Sequence, residues 1–220
     1  MSDVVISVRG EHETRVPAEL GVATVSVRLD GADRAAVFAQ ASTLAERLIA
    51  ELSDAQQRGT VAQWSSERVS VWSDRPWSQD GAQLPLVHHA SMSTRSEFTD
   101  FAALSEWITA VSEREGVAVD GISWELTPAT ARTTESEVAQ AAVGVAMQRA
   151  TAYAAALGLE SVHPSEIADA GLLNAAEASM GKQGMAMRAF ADSSGGGGGL
   201  QLEPRPIRVA ATVEARFLAS

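Results

Sequence analysis

The stretch from Gly121 to Gly158 (GISWELTPATARTTESEVAQAAVGVAMQRATAYAAALG) changes its hydrophobic period in mid-course. Ile122, Trp124 and Leu126 share one face of a strand, and Thr127 and Pro128 then open a run with helical spacing. This is the longest helix the sequence predicts. From Val138 it places Ala142, Val145, Ala152 and Ala156 on one side, nearly all small, so its backbone is expected close against a sheet or another helix. Two starts fit: Pro128 in the first turn, or a later capping box from Thr134 and Glu137. Gly158 is the natural stop. Trp124 is expected beneath this helix, and the rest of the chain reads as the sheet it covers.

Strand and helix periods alternate along that remainder. Val4 to Glu13 alternates with Val4, Ile6 and Val8 on one face, Pro17 closes it, and Leu20 to Leu29 alternates again with Ala23, Val25, Val27 and Leu29 together. The two strands are expected to pair antiparallel with each other. Asp33 then caps a helix carrying Val37, Ala41, Leu44, Leu48 and Leu52 as its inward stripe. Val61 to Ser73 is strand-like but slips near Ser65 to Arg68, where a bulge would bring Trp64, Val69 and Val71 to one face.

Asp74 to Pro85 has loop composition, with Trp77 expected to fold back onto the sheet. Leu86 to Glu97 is a strand, Thr99 is expected to cap a helix with the stripe Phe101, Leu104, Ile108 and Val111, and Gly116 suits a left-handed position after it. Val162 to Ala170 is a short strand whose Pro164 argues for an edge, and Ile207 to Phe217 is the clearest alternation in the chain.

From Leu20 to Leu126 the order is strand, helix, strand, strand, helix, strand, which is a split βαβ, ferredoxin-like unit. The expected class is α+β: an antiparallel or mixed sheet, three main helices packed on it, and terminal strands extending it. One domain is expected over residues 1–220, interrupted by a flexible Met- and Gly-rich insertion at about 171–203 that holds Met180, Met185, Met187, Phe190 and Gly195 to Gly199. At this length a domain buries roughly 70% of its unfolded surface, so a core needs no staples.

Composition narrows the chemistry. The chain has no cysteine, which removes disulfides, thiolate nucleophiles and sulfur ligation. A formal charge of -11 opposes nucleic acid as a partner. No run of about 18 apolar residues suggests membrane insertion, and the N-terminus does not read as a leader, so a cytoplasmic location is expected. His88 and His89 are strand neighbours and point to opposite faces, while Glu11, His12 and Glu13 lack the helical spacing of a zinc hydrolase. The five glycines have no Lys-Ser or Lys-Thr after them, so they are no phosphate cradle, and no serine sits in a Gly-x-Ser-x-Gly elbow. No catalytic, cofactor-binding or metal-ligating residue is assigned, and no cofactor is expected.

VVISVRGEHETRVPAELGVATVSV, from Val4 to Val27, resembles the opening of SIMPL domain proteins. Gly121 to Trp124, the Ala-rich helix with Arg149, Ala150 and Ala154, and the Leu157-Gly158-Leu159 ending are similar to that family's second hallmark, and Ile207 to Phe217 to its closing strand. The resemblance implies an α+β domain without an established enzymatic activity. It also implies ring- or channel-like homo-oligomers in some bacterial members, stress tolerance in others, and kinase binding in an animal relative. It carries no site residues over. The segments Trp77 to His89 and the Met/Gly stretch are individual to this chain. The expected role is therefore a non-enzymatic, self-assembling interaction protein whose free strand edges join between copies, with a further protein partner possible. The alternative is an apolar ligand binder with a cleft lined by Trp64, Trp72, Trp77 or Trp107.

Overall fold

The computed structural model describes residues 3–77, 83–173 and 202–220. In chain order its elements are β1 (Val4–Val16), β2 (Leu20–Gly31), α1 (Arg34–Gln57), β3 (Val61–Asp74), β4 (Val87–Phe98), α2 (Phe101–Ser112), β5 (Val117–Glu125), α3 (Pro128–Ala156), β6 (Val162–Asp169) and β7 (Ile207–Ala219). The α+β class stands, with helices on antiparallel sheets. The strands form two sheets, however, and the chain divides into two compact units.

The first unit holds β2 to β5 with α1 and α2, in sheet order β3-β4-β2-β5. All three pairings are antiparallel, so the split βαβ pattern read from the sequence is present. Both helices lie on one face, because Ala23, Val25 and Val27 of β2, Ala90 and Phe98 of β4, and the stripes of both helices form one buried core. Val37, Ala41, Leu48 and Leu52 are buried as α1's periodicity requires, and Leu44 is partly so. Asp33 caps α1, its carboxylate accepting from the Ala35 and Ala36 amides at 2.8 and 3.1 Å.

The cap of α2 falls one residue later than expected. Asp100 accepts from the amides of Ala102 and Ala103, whereas the Thr99 hydroxyl donates to the Gly59 and Thr60 carbonyls. The adjacent threonine and aspartate both suit a cap, and Thr99 is engaged by the preceding turn. Gly116 has φ +78, the left-handed conformation expected after this helix. The ladder between β3 and β4 shifts between Ser66 and Arg68, so Trp64, Val69 and Val71 oppose Ser96, Met92 and Ala90 on the helix face. Val69 nonetheless stays exposed there.

The second unit holds β1, β6, β7 and α3. Its sheet runs β1-β7-β6, with β6 at an edge and a register shift between Pro164 and Glu166. This corrects two expectations. β1 does not pair with β2 but with β7, in unbroken register from Val4↔Ala219 to Val16↔Ile207, and the terminal strands build their own sheet rather than extend the other. Thirteen consecutive residues of each strand meet in that ladder, an alternative a short local hairpin across Pro17 does not match.

The long helix likewise covers β1 and β7, not β5. Thr127 caps it through the Thr130 amide and Pro128 opens it, so the earlier start is the one used. Its inward residues are Thr134, Val138, Ala142, Ala146, Ala150 and Ala154, strictly every fourth position. Of the expected stripe only Ala142 is buried; Val145 is half-buried, and Ala152 and Ala156 face solvent. With alanine at so many positions, the sequence has little contrast from which to read the helix's rotation. Gly10 of β1 explains the small residues. A Cβ there would lie 2.0 Å from the Ala142 carbonyl oxygen and 2.9 Å from the Ala146 Cβ, so strand and helix backbones touch where no side chain intervenes.

Candidate functional site

The tryptophans do not line one cleft. Trp64 and Trp107 pack on the helix face of the four-stranded sheet, Trp107 against Phe98 with ring centroids 5.4 Å apart. The Trp107 indole N–H donates to Glu51 at 3.3 Å, and Arg114 also donates to that carboxylate, which ties α1 to α2. Trp124 sits in the same core, edge-on to Phe101 of α2, instead of beneath α3. Trp72 lies on the opposite face of the sheet. Trp77 is 81% exposed in the connection after β3, and does not fold back onto the sheet.

The histidines separate as their spacing requires. Ser73 pairs with His88 and Trp72 with His89 along the ladder of β3 and β4, so the two rings point to opposite faces. On the helix face, Ser73 Oγ lies 2.6 Å from His88 Nδ1 and accepts from Arg34 at 3.2 Å. On the other face, His89 stacks on Trp72 at 5.0 Å and places Nε2 3.2 Å from Asp74. His12 is exposed on β1. Among the described residues no group of three His, Asp or Glu side chains is placed to hold a metal. Among the same residues no helix is long and apolar enough to cross a membrane. The residues Met180 to Phe190 and Gly195 to Gly199 lie outside the described ones.

Two surfaces of the three-stranded unit contrast in character. The sheet face turned away from α3 carries ion pairs: Arg9 with Glu214 at 3.1 Å, Arg208 with Glu13 at 2.6 Å and Arg216 with Glu166 at 2.8 Å. Hydrogen bonding from Arg208 holds the Glu13 carboxyl below the usual glutamate range. Glu214 is lowered in the same way, by Arg9 first and by the Gly171 backbone next. Most of these charges are exposed to solvent, whereas the Glu214 side chain is largely covered.

At one end of the same unit the surface turns apolar. Val4, Val5 and Ile6 at the start of β1 meet Tyr153, Ala156 and Leu157 at the end of α3 around an open hollow of about 450 Å³. Val5, Tyr153 and Leu157 are 59%, 55% and 63% exposed, and Val5 turns with its ladder partner Leu218 to the sheet face away from α3. No Asp, Glu, Lys or Arg lines this hollow. Sequence reading missed it because its two halves lie almost 150 positions apart. The pattern of Val4 and Val5 did hold a signal: two consecutive valines cannot both face one core from a strand. A second hollow of about 530 Å³ in the four-stranded unit, beside α1, is lined by Leu29, Gln40, Thr43, Leu44 and Glu115 and gathers one carboxylate without a histidine or second acid.

Among the described residues the arrangement brings together these contact surfaces and one hydroxyl–imidazole pair, Ser73 with His88. Arg149, on α3, donates to the Arg9 carbonyl at 2.7 Å and so fastens helix to strand. No curated protein matches the chain. A family model does match, over residues 6–217, from β1 through β7: SIMPL, described as a protein of unknown function (DUF541). With the opening strands, the Gly10 contact and the alanine-faced helix all inside that span, the chain belongs to the SIMPL family.

Proposed function

We propose that this SIMPL protein is a non-enzymatic assembly module whose first partner is another copy of itself, joined through the apolar end of the three-stranded unit. The observation that carries the reading is the hollow between Val4, Val5, Tyr153 and Leu157, an exposed apolar patch without an ionised side chain in its lining. β1 supports it. Of the four edge strands among the described residues, β3, β5 and β6 border ladders broken by register shifts, whereas β1 runs in unbroken register with β7. Bulges blunt a sheet edge against pairing, and β1 lacks one.

A second copy is favoured over a charged partner because like net charges of -11 must meet where ionised groups are absent. A twofold arrangement would bring the same patch together from both copies. Native mass by light scattering on the purified full chain is the test. At tens of micromolar a mass of at least two chains is expected, rising with added salt as repulsion is screened. Val5→Asp with Leu157→Asp should return it to one chain. A strict monomer at high micromolar concentration in both low and high salt rejects the reading.

A further inference from the structure

The hollow of about 530 Å³ beside α1 lies in the four-stranded unit and has no part in the self-assembly proposed for the other. Its apolar lining comes from Leu29 of β2 and from Ala39 and Leu44 of α1. Gly116 closes tightly on two of these: a Cβ there would lie 2.7 Å from Leu29 Cδ2 and 3.3 Å from Leu44 Cδ1. The Arg28 amide donates to the Gly116 carbonyl at 2.8 Å, which fastens the turn carrying Glu115 to β2. Glu115 thus joins the lining from a fixed backbone.

The polar part of the lining is made of acceptors. Glu115 brings a carboxylate, and among the described residues it has no ion-pair partner. The cations close to it in sequence or across the sheet are already engaged, Arg114 and Arg47 with Glu51 and Arg28 with Asp120. The Thr43 hydroxyl has given its proton to the Ala39 carbonyl at 3.0 Å, which leaves its oxygen to accept, and Gln40 adds an amide oxygen. An uncompensated anion, two neutral acceptors and a hydrocarbon floor match one class of ligand.

We propose that this hollow binds a primary ammonium ion carried on a short aliphatic body. The three donors of the ammonium match Glu115, Thr43 and Gln40, while the alkyl chain covers Leu29, Ala39 and Leu44. An alcohol of the same length has the hydrocarbon but no charge for Glu115, and a carboxylate meets like charge. The net charge of -11 concentrates any cation around the chain, so the test must separate this hollow from that general field.

The probe is hexylammonium chloride, titrated into the full-length chain at neutral pH and followed by saturation-transfer NMR, with hexanol and hexanoate as controls. Hexylammonium should saturate with a Kd on the order of 1 mM, as a ligand of this size allows. Hexanol should bind about fivefold more weakly, and hexanoate should not bind. Glu115→Gln should lower the affinity for hexylammonium about fivefold, to that of the alcohol. Ala39→Phe, at an exposed helix position, should fill the hollow and abolish binding of both. Glu67→Gln removes another exposed carboxylate, on β3, and should change nothing. Absence of saturable binding overturns the proposal, as does hexanol binding as tightly as hexylammonium. So does full affinity in Glu115→Gln or Ala39→Phe, or an equal loss in Glu67→Gln.

Discussion

The two units cover a sheet with helices in opposite ways. In the four-stranded unit, α1 and α2 stand off from the strands and the gap is filled by Leu48, Leu52, Phe98, Leu104 and Val111, each almost wholly buried. In the three-stranded unit the gap is nearly closed, and Ala142, Ala146, Ala150 and Ala154 lie directly over Gly10 and its neighbours. The first design relies on the volume of its side chains. The second relies on their absence. It follows that the first should be damaged by removing atoms and the second by adding them.

The largest effect tests the first half. Phe98→Ala should lower the unfolding free energy by about 3 to 5 kcal/mol, measured by urea denaturation, because a fully buried ring leaves a cavity. Next, Gly10→Ala should cost about 1 to 3 kcal/mol or somewhat more, since its new methyl collides with helix backbone rather than with a movable side chain. Removing a methyl from the same seam, Ala146→Gly, should cost only about 1 kcal/mol, most of it helix propensity. A deletion there that costs more than the Gly10 insertion would break the comparison.

Smaller effects sharpen it at the margins. Asp100→Ala should cost about 1 kcal/mol as a lost cap and exceed the cost of Thr99→Ala, which would reveal the true start of α2. Least of all is the ion-pair face. The Glu13 and Glu214 carboxyls are held below the usual glutamate pKa in the folded chain, so their contribution is complete above the unfolded glutamate pKa and fades as pH falls through the folded values. Thermal melts of Glu13→Gln and Glu214→Gln should therefore converge on wild type in acid and differ slightly near neutrality. Differences that grow toward low pH would reverse that assignment.

The same contrast explains what could be read in advance. In the four-stranded unit, large and polar residues alternate, so the split βαβ order, the stripe of α1 and the Asp33 cap were legible. The slip at Ser66 to Arg68 was also visible as a break in that alternation. In the three-stranded unit, alanines surround α3 and give no hydrophobic contrast, so its phase was misread from Val145 onward. Alternation also tells which residues share a face and not which strand lies alongside. That is why β1 was assigned to its neighbour β2, and Trp124 to the helix that follows it in sequence. Of the candidate surface, the opposed directions of His88 and His89 followed from parity alone. The hollow between the start of β1 and Leu157 did not, because it depends on the fold bringing β1 beside the end of α3.

The ladder that joins Val4 to Ala219 has a consequence for synthesis. During translation, β2 through β5 emerge as a contiguous stretch and need no later residue for their sheet. β1 emerges before them and must wait for β7, which follows every other described strand, with all the elements between them as the loop to be closed. Through that interval Ile6 and Val8 have no partner strand, and the alanine face of α3 has only half its sheet. Along the sequence the quickly completed unit is thus an insertion in a slowly completed one, and the vulnerable interval is the time between the synthesis of β1 and that of β7.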